Sequence, residues 1–326
     1  MDKPWGQVLA AMLLGLMLPH VFLGFGGNAQ QDQPQPTTEA TAPTATYVQE
    51  QGRIQIPVQI DNKTVQVMEL EDYILGVVLA EMPASFEEEA LKAQAVVART
   101  YALRRMTLAD RHSGCAICTD SSCCQAYISP EDYLQHMGIA EDIEKLGKAV
   151  QDTAGLVLTY NGKLAEATYF SCSGGRTEGA LAVWGEQIPY LQAVDSPGEE
   201  KSDSYSQTKS FTPAQLAAAL GRSMEGKPEN WLGKVTYTQG DGVDMMFIGG
   251  VGYSGVELRK YLGLNSTAFT ITVEEGCFTV QTRGKGHRVG MSQYGADAMA
   301  ATGKSYKEIL SHYYQGTRID KFPLVG

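Results

Sequence analysis

Basic residues are scarce in this sequence relative to acidic ones. The 326 residues include 26 Lys and Arg against 37 Asp and Glu, which gives a formal net charge of −11 and a pI near 5.0. A nucleic-acid groove, or a surface that binds anionic lipid, requires clustered Lys and Arg. The composition therefore argues against both kinds of partner, and we expect no nucleic acid.

The sequence also lacks internal repeats and a regular alternation of strands and helices. Helical and strand patterns follow one another in mixed order, which is typical of an α+β fold with antiparallel hairpins. It contains no Gly-x-Ser-x-Gly pattern, so Ser173 in the loop 171–179 is not predicted to be a nucleophile of that type. The adjacent Gly174 and Gly175 favour a polar loop that contacts a ligand, and a tight turn without a ligand is the alternative.

Long apolar runs are absent except near the amino terminus. Residues 7–25 are apolar apart from Gln7 and His20 and match the thickness of a bilayer, with Lys3 on the inner side. We expect an uncleaved anchor, and a signal peptide cleaved near residues 27–29 is the alternative. The predicted division is a cytoplasmic end (1–6), a transmembrane anchor (7–25), a disordered linker rich in Gln, Pro and Thr (26–46), and one folded extracytoplasmic domain (47–326).

The stretch 70–105 predicts two helices that meet at a proline. Glu71 and Asp72 lie in the first turn of the first helix, where the helix dipole favours acids, and Pro83 ends it. Glu81 is therefore placed at the carboxyl end. The helix dipole and partial burial both disfavour an anion there, so we expect a raised pKa and a role as proton donor.

The second helix is predicted to start with a capping box formed by Ser85 and Glu88. It carries an apolar stripe and, seven residues apart on one side, the cations Lys92 and Arg99. These cations are candidates for contacting a ligand. The alternative is a pair of ordinary amphipathic helices with structural end charges.

The remaining elements follow from turn and capping signals. The strongest are Asn161-Gly162 between two strand patterns and the capping pair Ser254 and Glu257. The pattern predicts hairpins over 54–67, with its turn at 61–63, and over 156–170, helices from 129 and over 140–153, 213–220, 255–262 and 305–316, and strands over 234–238, 243–248, 269–273 and 277–282.

Four of the six cysteines fall within residues 112–125, next to a histidine. A zinc site and disulfides both fit such a cluster. Adjacent Cys123 and Cys124 do not readily bind one ion together. The simplest zinc set is therefore His112, Cys118 and Cys124, each six residues apart, with a fourth position open.

A loop punctuated by glycines spans residues 284–295 and leads into a helix. It holds His287, Ser292, Gln293 and Tyr294. Loops of this kind often carry binding groups. A structural histidine and a helix cap at Ser292 or Gln293 are the alternatives.

Taken together, these stretches resemble the stage II sporulation protein D family, which also includes amidase-enhancer domains. The resemblance spans roughly residues 50–326 in the order of the family. The matching motifs are Leu70-Glu71-Asp72-Tyr73, Ala80-Glu81-Met82-Pro83, residues 89–95 with 98–101, Ser173-Gly174-Gly175-Arg176-Thr177, Val183-Trp184-Gly185, Pro189-Tyr190-Leu191, Val194-Asp195 and residues 289–296.

The resemblance implies a lytic transglycosylase that cleaves the glycan strands of peptidoglycan, with Glu81 as the catalytic glutamate. It implies work on septal wall during engulfment in a sporulating bacterium, beside an amidase that strips stem peptides and a membrane partner protein. It also favours structural zinc at His112, Cys118 and Cys124 over disulfides, and no organic cofactor. The implied contacts with sugar are Lys92, Arg99, Tyr169, Ser173, Gln293 and His287.

One departure from the family lies beside His287, where Lys285 and Arg288 replace a common Trp and Gly. Two other functions fit the sequence. One is a wall-binding module without catalysis that stimulates an amidase. The other is a hydrolase that uses a second acid such as Asp72 or Asp195.

Overall fold

The structure is a computed structural model that describes residues 48–50, 53–60, 64–108, 112 and 115–323. The predicted anchor and linker and the hairpin turn at 61–63 lie outside these residues. Within them, none of the helices combines the length and apolar character needed to cross a bilayer. The helices are α1 (Leu70–Glu81), α2 (Glu88–Met106), α3 (Pro130–Met137), α4 (Ala140–Asp152), α5 (Ala180–Trp184), α6 (Pro213–Ala219), α7 (Gly255–Tyr261), α8 (Gln293–Ala301) and α9 (Tyr306–Tyr313).

Short strands pair mostly in antiparallel fashion, which confirms the mixed α+β class. The sheet orders are β1-β2-β3 with β4 beside β2, β17-β5-β6, β10-β15-β14, β11-β12-β13, β8-β9, and β7 parallel to β16. The strands are β1 (Val48–Glu50), β2 (Arg53–Gln59), β3 (Val65–Glu69), β4 (Ile117–Cys118), β5 (Leu156–Tyr160), β6 (Lys163–Leu164), β7 (Tyr169–Phe170), β8 (Gly175–Arg176), β9 (Asp195–Ser196), β10 (Ser206–Phe211), β11 (Leu232–Tyr237), β12 (Val243–Ile248), β13 (Val251–Ser254), β14 (Phe269–Glu274), β15 (Cys277–Arg283), β16 (Met291–Ser292) and β17 (Arg318–Lys321).

Buried apolar side chains of the described residues form two clusters. The first surrounds α2 and includes α1, α4, β5 and α9. The second is built from the sheets between β10 and β15 together with α6 and α7, around Trp231 and Phe278. The sequence patterns gave no sign of this second core, because each of its strands and helices is short and looks ordinary alone.

Helix α2 is the centre of the first core. Residues 93–103 are buried on every face, against α1, α4, α8, α9 and β5. The sequence predicted one apolar stripe instead. Since α2 is rich in alanine, neighbouring helices approach it from all sides.

The predicted capping box at the start of α2 is wrong. The helix begins at Glu88, and its N-cap residue, Glu87, makes no hydrogen bond through its side chain. The Glu87 N–H donates instead to Asp297 Oδ1 of α8, at 2.7 Å. The N-terminal N–H that the sequence predicted Ser85 would cap is therefore satisfied by a tertiary contact with α8.

Other local predictions are confirmed. Helix α1 has the predicted bounds, and capping boxes form at the starts of α7 and α9. Strands β2 and β3 form the first hairpin, and β5 and β6 form the second. The predicted strand 163–170 is interrupted, because residues 169–170 leave the hairpin as β7 and pair with β16.

A buried ion pair fastens α1 to α2. The side chain of Arg99 is fully buried, and its Nε and Nη2 donate to the carboxylate of Glu71 at 2.9 and 2.6 Å. Its Nη1 and Nη2 also donate to the carbonyl oxygens of Leu156 and Val150, at 3.1 and 3.3 Å. The Gly155 N–H completes the shell around Glu71 at 3.0 Å. This network joins both helices to the end of α4 and the start of β5.

We expect Glu71→Ala to lower the free energy of unfolding by about 3–5 kcal/mol, because it leaves the Arg99 cation buried without its anion. Asp72→Ala is the matched control, since Asp72 is an exposed acid in the same helical turn. Denaturant unfolding of both variants measures the difference. Equal stability of the two variants would contradict the role given to this pair.

Candidate functional site

Glu81 is the last residue of α1, as the sequence predicted. Its neighbours Val77, Val78 and Met82 are buried, and its own side chain is partly buried. The peptide carbonyls at this end of the helix also disfavour a negative charge. The carboxyl group therefore lies where the neutral acid is favoured.

Three groups from other parts of the chain surround the Glu81 carboxyl. The Ala126 N–H donates to Glu81 Oε1 at 2.9 Å, and the Tyr169 hydroxyl and the Gln293 amide face the same group. Burial raises the pKa of Glu81 above its usual value, and these three donors oppose that rise by stabilising the anion. The net shift is upward. Glu81 is thus a carboxylic acid that stays protonated to a higher pH than an exposed glutamate.

Tyr169 and Gln293 reach Glu81 through the parallel pair β7 and β16. Tyr169 lies opposite Met291, and Gln293 follows directly after β16. Gly290 allows this close approach, because a Cβ there would come within 2.0 Å of the Thr168 carbonyl oxygen, and its φ is +85°. The interrupted strand 163–170 is therefore what brings Tyr169 to the site.

Gln125, which the sequence patterns did not indicate, supports the site by contacting Tyr169 and Tyr73. Its Oε1 accepts from the Tyr169 hydroxyl at 3.2 Å, and its Nε2 donates to the Tyr73 hydroxyl at 3.3 Å. The side chain of Gln125 is almost fully buried. No local sequence signal marks Gln125. It reaches the site only because the loop that follows the cysteines passes the end of α1.

Gln293 keeps an unused donor beside the acid. Its side chain is 6% exposed, and its Nε2 makes no hydrogen bond that satisfies distance and angle within the described residues. The amide is nevertheless close enough to favour the anion of Glu81. Leaving a buried donor without a partner costs free energy. This N–H therefore lies beside the acid without a hydrogen-bond partner among the described residues.

His287 is held as a neutral ring. Its Nδ1 accepts from the Val289 N–H at 3.1 Å, and its other nitrogen donates to the Tyr169 carbonyl. Burial, with a smaller contribution from the charge of Arg259, lowers the pKa of His287 to about 4. The ring packs against Phe170 and Trp184, with centroids 5.6 and 5.5 Å away. His287 therefore supports the backbone of Tyr169 rather than carrying charge.

Arg288 beside it takes a left-handed conformation, with φ +66°, which glycine adopts more easily. The guanidinium is buried, lies 3.4 Å from Glu178, and donates to the carbonyl oxygens of Ser173, Arg176 and Gly240. Its side chain thus links the 171–179 loop to the β11–β12 turn. These contacts offset the cost of the backbone conformation.

Ser173 belongs to a buried cluster around Glu199. The Glu199 carboxylate accepts from the Ser173 N–H, the Ser173 hydroxyl and the Gly174 N–H at 2.7–2.9 Å. It also accepts from Ser196 Oγ at 2.5 Å. Ser173 is fully buried, so in this structure its hydroxyl holds the loop after β7 and does not face solvent. No motif marks Glu199 in the sequence, where it lies in a polar run.

Lys92 and Arg99 form ion pairs with acids other than Glu81. Lys92 Nζ lies 2.9 Å from Glu89 and 3.5 Å from Asp152 at the end of α4. Arg99 is fully buried against Glu71. The structure brings together Glu81, Tyr169 and Gln293, and it places both cations in structural ion pairs.

The cysteine cluster lies next to this site along the chain. His112, Cys118, Cys123 and Cys124 place one ligand atom each within 4.8 Å of one another. None of the six cysteines, all of which the structure describes, forms a disulfide. A hydrogen bond from Cys124 lowers the pKa of Cys118 to about 6, and the thiolate is the form that binds metal. The donor set of one imidazole with thiols fits zinc.

Two surface cavities border α9 rather than Glu81. Their volumes are about 500 and 440 Å³, and both are lined by Lys307 and Ser311. The first also meets Leu156 and Asp320, at the edge of the β17-β5-β6 sheet. Neither contains the groups that surround Glu81.

Comparison with known proteins identifies the family of this chain. The family model described as stage II sporulation protein matches residues 59–160, which cover α1, α2 and the cysteine loop. Stage II sporulation protein D of Bacillus subtilis is 42% identical over 82% of this chain and 79% of its own length. The protein of the same name from Bacillus amyloliquefaciens is 40% identical over the same shares. The amidase enhancer of B. subtilis is 30% identical over 76% of this chain and 40% of its own length. The chain belongs to the stage II sporulation protein D family.

Proposed function

We propose that the protein is a lytic transglycosylase that cleaves the bond between N-acetylmuramic acid and N-acetylglucosamine in peptidoglycan strands. The observation that carries the proposal is the Glu81 carboxyl, whose pKa is raised by burial while donors from three other segments stabilise its anion. A group that must give up and then take back a proton needs both forms to be accessible. Glu81 has an environment of that kind.

The proton path follows from this one carboxyl. Protonated Glu81 donates to the glycosidic oxygen as the bond to the muramyl C1 breaks. The resulting carboxylate takes the proton of the muramyl 6-hydroxyl, whose oxygen bonds to C1 and closes a 1,6-anhydro ring. No water is added to the product, and Glu81 ends in the form in which it started.

Tyr169 and Gln293 each bring a hydrogen-bond donor close to Glu81. The Tyr169 hydroxyl has one proton, which it can donate either to the Glu81 carboxylate or to Gln125 Oε1. The Nε2 of Gln293 has no partner among the described residues, and it would donate to a sugar hydroxyl or acetamido oxygen when a strand enters the site. Of the predicted sugar contacts, we therefore propose Gln293 as a contact with sugar and Tyr169 as a residue that positions Glu81.

A hydrolase that uses Asp72 is disfavoured by distance. Asp72 and Glu81 lie at opposite ends of α1, nine residues apart, which is about 13 Å along a helix axis. Glycosidases with two carboxylates hold them about 5–10 Å apart. Asp195 is an exposed acid, 2.6 Å from Arg176. One acid suffices when the substrate supplies the nucleophile.

We further propose that His112, Cys118 and Cys124 hold a structural Zn²⁺. A bound zinc would supply a cross-link between His112, Cys118 of β4 and the turn that holds Cys124, and the glycan chemistry does not pass through it. The same loop continues into Gln125 and Ala126, which contact Tyr169 and Glu81. Zinc would therefore keep the donors of the acid in place.

The cellular setting that we propose is the septal wall of a sporulating bacterium. The folded domain would face outward from an anchor at residues 7–25, beside a membrane partner protein. An amidase would remove stem peptides first, so that bare strands reach Glu81. The relative that is named an amidase enhancer favours one second candidate, a wall-binding module that stimulates the amidase without cleaving glycan.

Glu81→Gln should lower the rate of cleavage of peptide-stripped glycan strands by at least about 100-fold, the loss expected for a general acid. Glutamine keeps the size of the side chain and can still accept from the Ala126 N–H. Liquid chromatography with mass spectrometry measures the release of anhydro-muramyl products.

The matched control is Glu88→Gln, the same change at an exposed residue in the next helix, which should leave the rate unchanged. Full activity of Glu81→Gln would remove the proposed acid. Absence of cleavage by the folded wild type on all strand preparations would favour the amidase-enhancing module.

The rate should fall as pH rises through the pKa of Glu81, since the acid must start protonated. That fall should be centred above 4.5, the ordinary value for a glutamate. Tyr169→Phe removes a donor to the anion, so the pKa should rise further and the fall in kcat/KM should move to higher pH.

Profiles of kcat/KM against pH test this shift, with Tyr127→Phe as the control. Tyr127 stacks on Tyr73 and is not among the groups that shift the pKa of Glu81. A fall that stays in place or moves to lower pH in Tyr169→Phe would contradict the proposed contact.

A further inference from the structure

The cysteine cluster contains a fourth sulfur that the spacing of the sequence did not select. Cys123 Sγ lies 3.7 Å from His112 Nε2, and Cys124 Sγ lies 3.5 Å from the same nitrogen. The two sulfurs are 3.9 Å apart. Cys118 completes a group in which all four ligand atoms lie within 4.8 Å of one another.

The three separations among Cys123 Sγ, Cys124 Sγ and His112 Nε2 match the edges of a zinc tetrahedron. With Zn–S near 2.3 Å and Zn–N near 2.0 Å, tetrahedral geometry requires S–S edges of about 3.8 Å and S–N edges of about 3.5 Å. The Cys123–Cys124 separation of 3.9 Å is far longer than the S–S bond of a disulfide, about 2.05 Å. The separation fits two ligands of one ion and is too long for a disulfide bond between the two cysteines.

A tight turn explains how neighbouring cysteines point to one place. The Asp120 carbonyl accepts from the backbone N–H of both Cys123 and Cys124, at 3.0 and 2.7 Å. The Asp120 carboxylate holds Ser122 through its N–H and its hydroxyl, at 2.8 and 2.7 Å. The turn thus fixes both sulfurs on the side of His112. The turn therefore places adjacent sulfurs close to one histidine nitrogen, an arrangement that the spacing of the sequence did not suggest.

Cys118 reaches the same point from a different element. It lies in β4, which pairs with β2, and the Thr119 N–H donates to the Gln59 carbonyl at 3.1 Å. One ligand therefore comes from a sheet, two come from the turn, and His112 comes from the segment before them. Ligands on separate elements are the usual design of a structural zinc site that stabilises a loop.

We propose that Cys123 is the fourth protein ligand of the zinc site, which makes a closed Cys₃His centre in place of a three-ligand site open to water. This inference rests on the proposed zinc site but not on the proposed glycan reaction. Each thiol loses its proton to solvent when it binds the ion. A closed site leaves no ligand position for water, as in zinc centres that only support structure.

X-ray absorption of the full-length protein, reduced and loaded with one equivalent of Zn²⁺, tests the proposal without any activity assay. The expected fit has three sulfurs near 2.3 Å and one nitrogen near 2.0 Å. Two sulfurs with two light atoms would overturn the role of Cys123 and leave a three-ligand zinc site. Failure to bind zinc would overturn both zinc proposals. The cleavage assay of Glu81→Gln would still test the proposed glycan reaction separately.

Cys123→Ser supplies the comparison. The number of sulfur ligands fitted for this variant should fall from three to two. Its affinity for zinc should fall by more than about 100-fold, which is the largest loss typical of residues that only hydrogen-bond to a metal ligand. Cys277→Ser, the same change at an exposed cysteine outside the cluster, should keep three sulfurs. Three sulfurs in Cys123→Ser would contradict the proposal. If that variant does not fold, the wild-type spectrum alone decides.

Discussion

The buried guanidinium of Arg99 is the constraint on which the first core depends. A cation without solvent requires an anion and acceptors for its other donors. Glu71 supplies the anion, and the carbonyl oxygens of Val150 and Leu156 supply acceptors. These partners belong to α1, to the end of α4 and to the start of β5. Because the pair fixes the start of α1 against α2, it also fixes the other end of α1, where Glu81 lies.

The candidate site is assembled on that fixed helix end by segments distant in sequence. The loop after the cysteines supplies Ala126 and Gln125, β7 supplies Tyr169, and the residue after β16 supplies Gln293. Behind these groups, His287 supports the backbone of Tyr169, and a buried carboxylate at residue 199 holds the loop after β7. The pKa of Glu81 depends on every neighbouring donor, so the positions of these donors must be held by further contacts.

Features set by local sequence could be predicted. Helix α1 with Glu81 at its end, the caps of α7 and α9, and the turn at Asn161-Gly162 depend on residues a few positions apart, and all are present. Features set by tertiary contact could not be predicted. The start of α2 depends on Asp297. The closeness of the Cys123 and Cys124 sulfurs to His112 depends on a turn that the spacing of the sequence does not reveal.

The same division holds inside the candidate site. The sequence and its family motifs pointed to Glu81, Tyr169 and Gln293, and the structure brings these three together. They also pointed to Lys92 and Arg99, whose charges are taken up by acids on α1, α2 and α4. A motif shows that a residue matters, but it does not separate a group that meets a ligand from one that holds the fold.

Cleavage of peptide-stripped glycan strands in water enriched in heavy oxygen tests the central claim most directly. If Glu81 is the single acid and base and the muramyl 6-hydroxyl is the nucleophile, every new muramyl end should be one water lighter than a reducing end and should carry no heavy oxygen. New reducing ends labelled with one heavy oxygen would show that water attacks, and they would contradict the account.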